Sequence, residues 1–261
     1  MIDITHAKQT FKKFLERYKS DEDVLGFELK VVHTYHVVDN AKLIAEKLQL
    51  DEEDAKLAEL IALLHDTGRF EEITFLKQFD SINFNHAEHG VKMLFEDGLI
   101  REYILDDKYD DIIKAAIRNH NRLAIEEGLN ERELLHAKII RDADKLDNFR
   151  VKKEEKIEAI FPGRVNNKED MENSTLTAKV YETVMNKQCV NIHDRQTPLD
   201  CWVCILAFIY DLNFKETFEL IKDNNYVDVL IDRFIYTKQR TREQMENIRK
   251  VVNKYVGDNI K

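Results

Sequence analysis

His65 and Asp66 close a strongly apolar helical stretch, IALLHDTGR. A carboxylate at that depth is costly to keep charged unless it is paired or bound to a cation. An imidazole nitrogen beside a carboxylate oxygen suits iron, manganese or zinc better than magnesium or calcium, which favour all-oxygen surroundings. Residues of the same chemistry fall on apolar helical faces elsewhere. His33 flanks the stripe Val37, Ala41, Ile44, Leu48, whereas His36 projects away from it. His86 borders the face of Ala87, Val91, Leu94 and Phe95, with His89 nearly opposite, and His120 follows Ile113, Ala116 and Ile117 at helical spacing. In IIRDADKLDNF, Asp144 and Asp147 share a face with Ala137 and Ile140, and Asp142 falls on the other side. Helical phase therefore leaves either Asp144 or Asp147 as the inward carboxylate. One inward histidine alone is most simply a core residue with satisfied hydrogen bonds. Several helices turning His or Asp inward beside a buried His-Asp pair would each need separate compensation, and a shared metal site compensates them together.

Helices must present these residues, and the pattern predicts an all-α protein. Only seven glycines and two prolines punctuate 261 residues, and apolar residues recur every three or four positions. Helices are expected over 5–19 and 22–48, and from residue 51 through the HDTG sequence, where Gly68 is the expected C-terminal stop. After the loop containing DSINFN, Asn85 is suited to cap a helix over 86–97, with further helices over 109–127 and 131–150. The polar stretch from Pro162 to Ser174 carries a Pro-Gly pair and reads as a loop. It divides a metal-binding helical core, 1–160, from a C-terminal helical extension expected to pack on it, 161–261. Helices in that extension are expected near 175–187, 198–211, 214–223 and 241–256.

A net charge of −10 argues against a broad nucleic-acid surface or an anionic-lipid face and makes small molecules the expected partners. The start, MIDITHAKQTFKKFLERY, lacks the apolar segment of a secretory signal. The longest apolar run, Cys201 to Leu212 broken by Asp211, is too short to span a bilayer, so a cytoplasmic protein is expected. Cys201 and Cys204 have a C-x-x-C spacing, but within an apolar helical stretch without a second pair they read as small buried hydrophobes.

In order and context the histidines and aspartates resemble the HD-domain superfamily of metal-dependent phosphohydrolases, whose pattern is a His, a His-Asp pair and a later Asp. Over roughly residues 25–150 the matching positions are His33 in HTYHV, His65 and Asp66 in HDTGR, and Asp144 in DADKLDN. The last segment is similar to the family's A-D-[KR]-L motif, and that similarity selects Asp144 over Asp147. His86 in HAEHG and His120 in IRNHN resemble the extra ligands of binuclear members. The resemblance thus implies His33, His65, Asp66, His86, His120 and Asp144 around two divalent metals, with Asp66 bridging. Iron or manganese is expected first, with zinc, magnesium, nickel or cobalt as substitutes. The chain is also similar to a bacterial subgroup with an HDxGRF motif. It departs from the cyclic-dinucleotide phosphodiesterases, which would have His-His-Glu and a GYP element where His120 is followed by NRLAIEEG. Thr67 replaces the aliphatic residue usual after His-Asp.

The implied activity is that of a phosphohydrolase or phosphodiesterase acting through a metal-activated water on a small phosphorylated compound, a nucleotide foremost. Asp66 would lie at the catalytic centre, and Arg69 and Lys145, each adjoining an implied ligand, would contact phosphate. The same ligand set also resembles mixed-valent di-iron oxygenases. A third reading is a catalytically silent nucleotide sensor with the C-terminal part as its output.

Overall fold

A computed structural model describes residues 2–19, 26–76, 83–161 and 164–261. Among them every regular element is a helix, and the residues group into two compact units, Met1–Asp147 and Asn148–Lys261.

In the first unit, α1 (Ile4–Glu16) starts at Asp3, whose side chain accepts the His6 N–H, and it buries Ala7, Phe11, Phe14 and Leu15. The central pair is α2 (Phe27–Lys47) and α3 (Glu52–Leu64), which pack together. Asp51 caps α3 by accepting from the Asp54 N–H at 2.8 Å, and acids at 52, 53 and 54 complement the positive end of the helix. Leu57, Ala58 and the run Leu60 to Leu64 are all buried, as the near-continuous apolar sequence requires.

Gly68 does not end α3. That helix stops at Leu64, His65 and Asp66 carry the turn, and Gly68 lies in the first turn of α4 (Thr67–Thr74). A Cβ at Gly68 would lie 2.3 Å from the His86 carbonyl oxygen and 2.7 Å from the Gly90 nitrogen. The glycine is thus required for the close approach of α4 to α5 (His86–Val91) and not for a left-handed stop. The Thr67 hydroxyl, fully buried, donates to the Leu64 carbonyl, so the polar replacement after His-Asp is satisfied by its own turn.

Asn85 caps α5 by accepting from the Ala87 and Glu88 N–H groups, and the helix continues as a π-helical turn over Lys92–Glu96. Asp80, Ser81 and Ile82 of the expected loop lie outside the described residues. After the short α6 (Ile100–Tyr103), α7 (Asp110–Asn119) ends well before residue 127. Asn119 stops it: its Oδ1 accepts the Glu126 N–H at 2.9 Å and its Nδ2 donates to Glu126 Oε1 at 3.0 Å, folding the chain back. The long α8 (Glu131–Glu154) begins in the first unit and continues into the second.

The second unit holds α9 (Ile157–Ile160), α10 (Lys168–Glu172), α11 (Ala178–Met185), α12 (Pro198–Leu206), α13 (Lys215–Asp223), α14 (Tyr226–Ile231) and α15 (Gln239–Asn259). Trp202 is its centre, edge-on to Phe161 and Phe234, with its indole N–H donating to the Leu230 carbonyl at 3.1 Å. The expected loop from Pro162 to Ser174 contains α10. Asn167 caps it by accepting from the Asp170 N–H, and Glu169 and Asp170 sit in its first turn, so capping organises a stretch with little apolar periodicity. Pro162 and Gly163 lie outside the described residues. Thr197 and Asp200 form a reciprocal capping box at the start of α12, on which Cys201 and Cys204 are buried. No helix among the described residues is long and apolar enough to cross a membrane.

Candidate metal centre

Separate elements of the first unit bring the chemistry together. α2 supplies His33, the turn after α3 supplies His65 and Asp66, the first residue of α5 is His86, His120 follows the last residue of α7, and α8 supplies Asp144. All are buried except Asp144, whose side chain retains 17% of its exposure. Ring centroids are 5.7 Å apart for His33 and His65, and 5.1 Å apart for both His65–His120 and His86–His120. Donor atoms of His33, His65 and Asp144 lie within 4.8 Å of one another, as do those of His65, Asp66 and His120.

The two oxygens of Asp66 face different partners. Oδ2 is 3.3 Å from His65 Nε2 and 3.8 Å from His33 Nε2. Oδ1 is 3.3 Å from His86 Nε2 and 3.6 Å from His120 Nε2. Asp144 Oδ1 adds a second carboxylate to the first set, 3.0 Å from His33 Nε2 and 3.9 Å from His65 Nε2.

Hydrogen bonds on the far side of the rings set their tautomers. Nδ1 of His65 donates to the Ala62 carbonyl at 2.7 Å, and Nδ1 of His120 donates to the Ile117 carbonyl at 2.7 Å. A carbonyl can only accept, so in each neutral ring the proton is on Nδ1 and the lone pair on Nε2 points into the cluster. His33 Nδ1 is held by Asp147 Oδ2 at 2.6 Å. Nε2 of His33 and Nε2 of His65 are buried without a hydrogen bond of acceptable geometry. Nε2 of His86 and Nε2 of His120 face each other at 3.1 Å, and Arg69 Nη2, a donor, approaches the former at 3.3 Å. His120 Nε2 turns a lone pair toward His86 Nε2, and a cation held by both rings would take the place of this contact. This donor set fits a metal.

The charges agree. Burial above all, then the Arg69 charge, pushes His86 well below the usual histidine range, and burial also lowers His120, so both rings favour the neutral, ligating form. Burial opposes ionisation of Asp66, but Lys30, His65 and His120 outweigh it and hold the carboxyl well below its ordinary value. Asp144 is likewise lowered against burial, chiefly by His33. Burial depresses His65, but Asp66 and Asp144 more than offset this, so its Nε2 favours a positive partner.

Helical phase alone could not separate Asp144 from Asp147. The structure puts Asp144 beside the Nε2 atoms and Asp147 behind His33 on its Nδ1. Asp142, expected on the outer side, is fully buried. The cause is α8 itself: Ala137, Ile139, Ile140, Arg141, Ala143, Lys145, Leu146 and Asp147 are buried too, so this stretch has no broad solvent face from which to read a phase. Arg69 and Lys145 are buried; the Arg69 guanidinium pairs with the fully buried Glu72 and reaches His86. Lys30, which the sequence reading passed over, places Nζ 2.5 Å from Asp66 Oδ2. Its signal was present: it precedes His33 by three residues, on the same helical face.

Residues 31–148 match the family model of the HD domain. This segment belongs to the HD-domain family. No curated protein and no solved structure matches the chain. HD domains bind divalent metals and are mostly metal-dependent hydrolases. The matched segment of this HD domain spans the whole cluster from His33 to Asp147, and Lys30 stands immediately before it.

Proposed function

We propose that this HD domain is a metal-dependent phosphohydrolase or phosphodiesterase acting on a small phosphorylated compound, with nucleotides the foremost class. The observation that carries the reading is the division of Asp66, with one carboxylate oxygen toward His33 and His65 and the other toward His86 and His120. A carboxylate so placed suits a bridge between two ions, one held with His33, His65 and Asp144 and the other with His86 and His120. The mixed imidazole and carboxylate set favours iron or manganese. When bound, such a pair lowers the pKa of water and neutralises phosphoryl oxygens during in-line displacement.

The chain's own residues orient and charge the site. Asp147 fixes the His33 ring, and main-chain carbonyls fix His65 and His120. We assign Arg69 and Lys145 to the substrate's anion. Arg69 divides its guanidinium between Glu72 and His86, which sets it at the edge of the cluster. Its fork geometry suits phosphoryl oxygens.

The test is metal analysis of the full chain, followed by a screen of nucleotides and phosphoesters with Mn²⁺ or Fe²⁺ supplied. Release of phosphate or a nucleoside monophosphate is expected, abolished by chelation and undiminished under strict anoxia. Turnover that stops without O₂, with a mixed-valent iron signal by electron paramagnetic resonance, would make the protein an oxygenase. Metal binding without turnover of any compound would favour a sensor.

A further inference from the structure

Lys30 lies in the first turn of α2, three residues before His33, so helical geometry turns both side chains to the cluster. Its ammonium approaches Asp66 Oδ2 at 2.5 Å, the oxygen that His65 and His33 also face. Two observations distinguish it from Arg69. The Arg69 charge is matched by Glu72, a carboxylate with 0% of its side chain exposed, whereas Lys30 meets Asp66, whose two oxygens also face the imidazoles that would hold metal. The Lys30 side chain also keeps 13% of its exposure, against 3% for Asp66, so it connects the buried carboxylate to solvent. An ion held by His33, His65 and Asp144 would compete with this ammonium for the same Asp66 oxygen. Like charges at contact repel, and a lysine on a flexible four-carbon stem can yield and turn to another anion.

We propose that Lys30 is a substrate-binding residue, its ammonium contacting a phosphoryl oxygen on the solvent side of Asp66; the assignment rests on the phosphohydrolase reading above. A purely structural role makes the opposite demand on metal binding. If Lys30 merely held Asp66 in place, its removal would loosen the carboxylate and weaken the metal. If it is displaced in favour of substrate, its removal leaves metal binding as tight or tighter and weakens only the anion.

The experiment compares the full chain with Lys30→Gln, Lys30→Met and Lys30→Arg, titrating MnCl2 calorimetrically and then inorganic phosphate into the Mn²⁺-loaded proteins. Gln and Met keep part or all of the apolar stem and are compatible with a helix. Mn²⁺ affinity is expected to hold or rise in both, while phosphate affinity falls roughly ten- to a hundredfold, the worth of one charge-assisted hydrogen bond. Lys30→Arg should restore most of it. With a phosphoester substrate, KM should rise more than kcat falls. Mn²⁺ affinity that drops in both variants, or phosphate affinity that does not change, would overturn the role of Lys30 while leaving the reaction class standing. Failure of the wild-type protein to bind phosphate or turn over any phosphoester would overturn both.

Discussion

In one half of the centre, His33 and Asp144 come from within the long helices α2 and α8, and His65 sits at the buried end of α3. In the other half, His86 is the first residue of a six-residue helix and His120 follows the end of α7. Support differs as well. His33 has a carboxylate behind its ring and His65 a carbonyl of its own turn, whereas the position of His86 depends on α5 lying against α4 at Gly68 and Gly90. A ligand set by a long helix is held by that helix's whole buried face, and one at a short helix's end is held by a few contacts. The first half should therefore bind its ion more tightly.

The largest effect is expected at the residue common to both halves. Asp66→Ala should remove metal from both and bring turnover below detection, with elemental analysis and phosphate release as the readouts. Retention of one equivalent would show that the halves are independent and that Asp66 does not bridge.

Within the first half, Asp144→Asn should cost far more activity than Asp147→Asn. The former removes an anionic group facing His33 and His65 Nε2, and the latter loosens a ring that can still ligate. For Asp147→Asn the expected loss in activity or metal affinity is about ten- to a hundredfold. Equal losses would mean that Asp147 does more than orient His33.

In the second half, His86→Ala or His120→Ala should lower the metal content while leaving the other ion bound and the helical circular dichroism unchanged. Full occupancy in both variants would contradict a binuclear centre. Loss of all metal in either would abolish the distinction between the halves.

A smaller effect is expected from Gly68→Ala, which adds a methyl group against the His86 carbonyl. Overpacking of this kind costs about 1–3 kcal/mol, measurable by urea unfolding, and it should weaken the ion at His86 and His120 before the other. An unchanged midpoint with unchanged occupancy would show that α4 and α5 separate freely.

The smallest expected effect is a control on buried histidine. His136 is buried outside the cluster, with Nε2 3.0 Å from Asp54 Oδ1, and burial lowers its pKa against the pull of that carboxylate. The unfolded chain then takes up its proton near the ordinary histidine value of about 6.5 before the folded chain does. Stability should decline as pH falls below that value and level off once the folded ring also titrates. This component should persist in chelator and disappear in His136→Gln, as read by thermal melts between about pH 7.5 and 5.5. Its loss on chelation would tie His136 to the metal centre.

The sequence by itself determined the helical class, the burial of His65 and Asp66, and the inward faces of His33, His86 and His120. The burial of His65 and Asp66 follows from the near-continuous apolar run before them, and the inward faces follow from local periodicity, because a helix with one solvent face records in its own residues which way it points. Where that face is missing the record fails. Over Ala137 to Asp147, α8 is buried nearly all round, so nothing local could put Asp142 inside or give Asp144 and Asp147 their different partners. Gly68 looked like a stop because its use lies in another helix, at His86 and Gly90. The contact of Lys30 with Asp66 spans 36 positions and is set by how α2 meets the turn after α3. Only the tertiary structure could decide these points, since each depends on atoms brought close by packing from parts of the chain that share no local pattern.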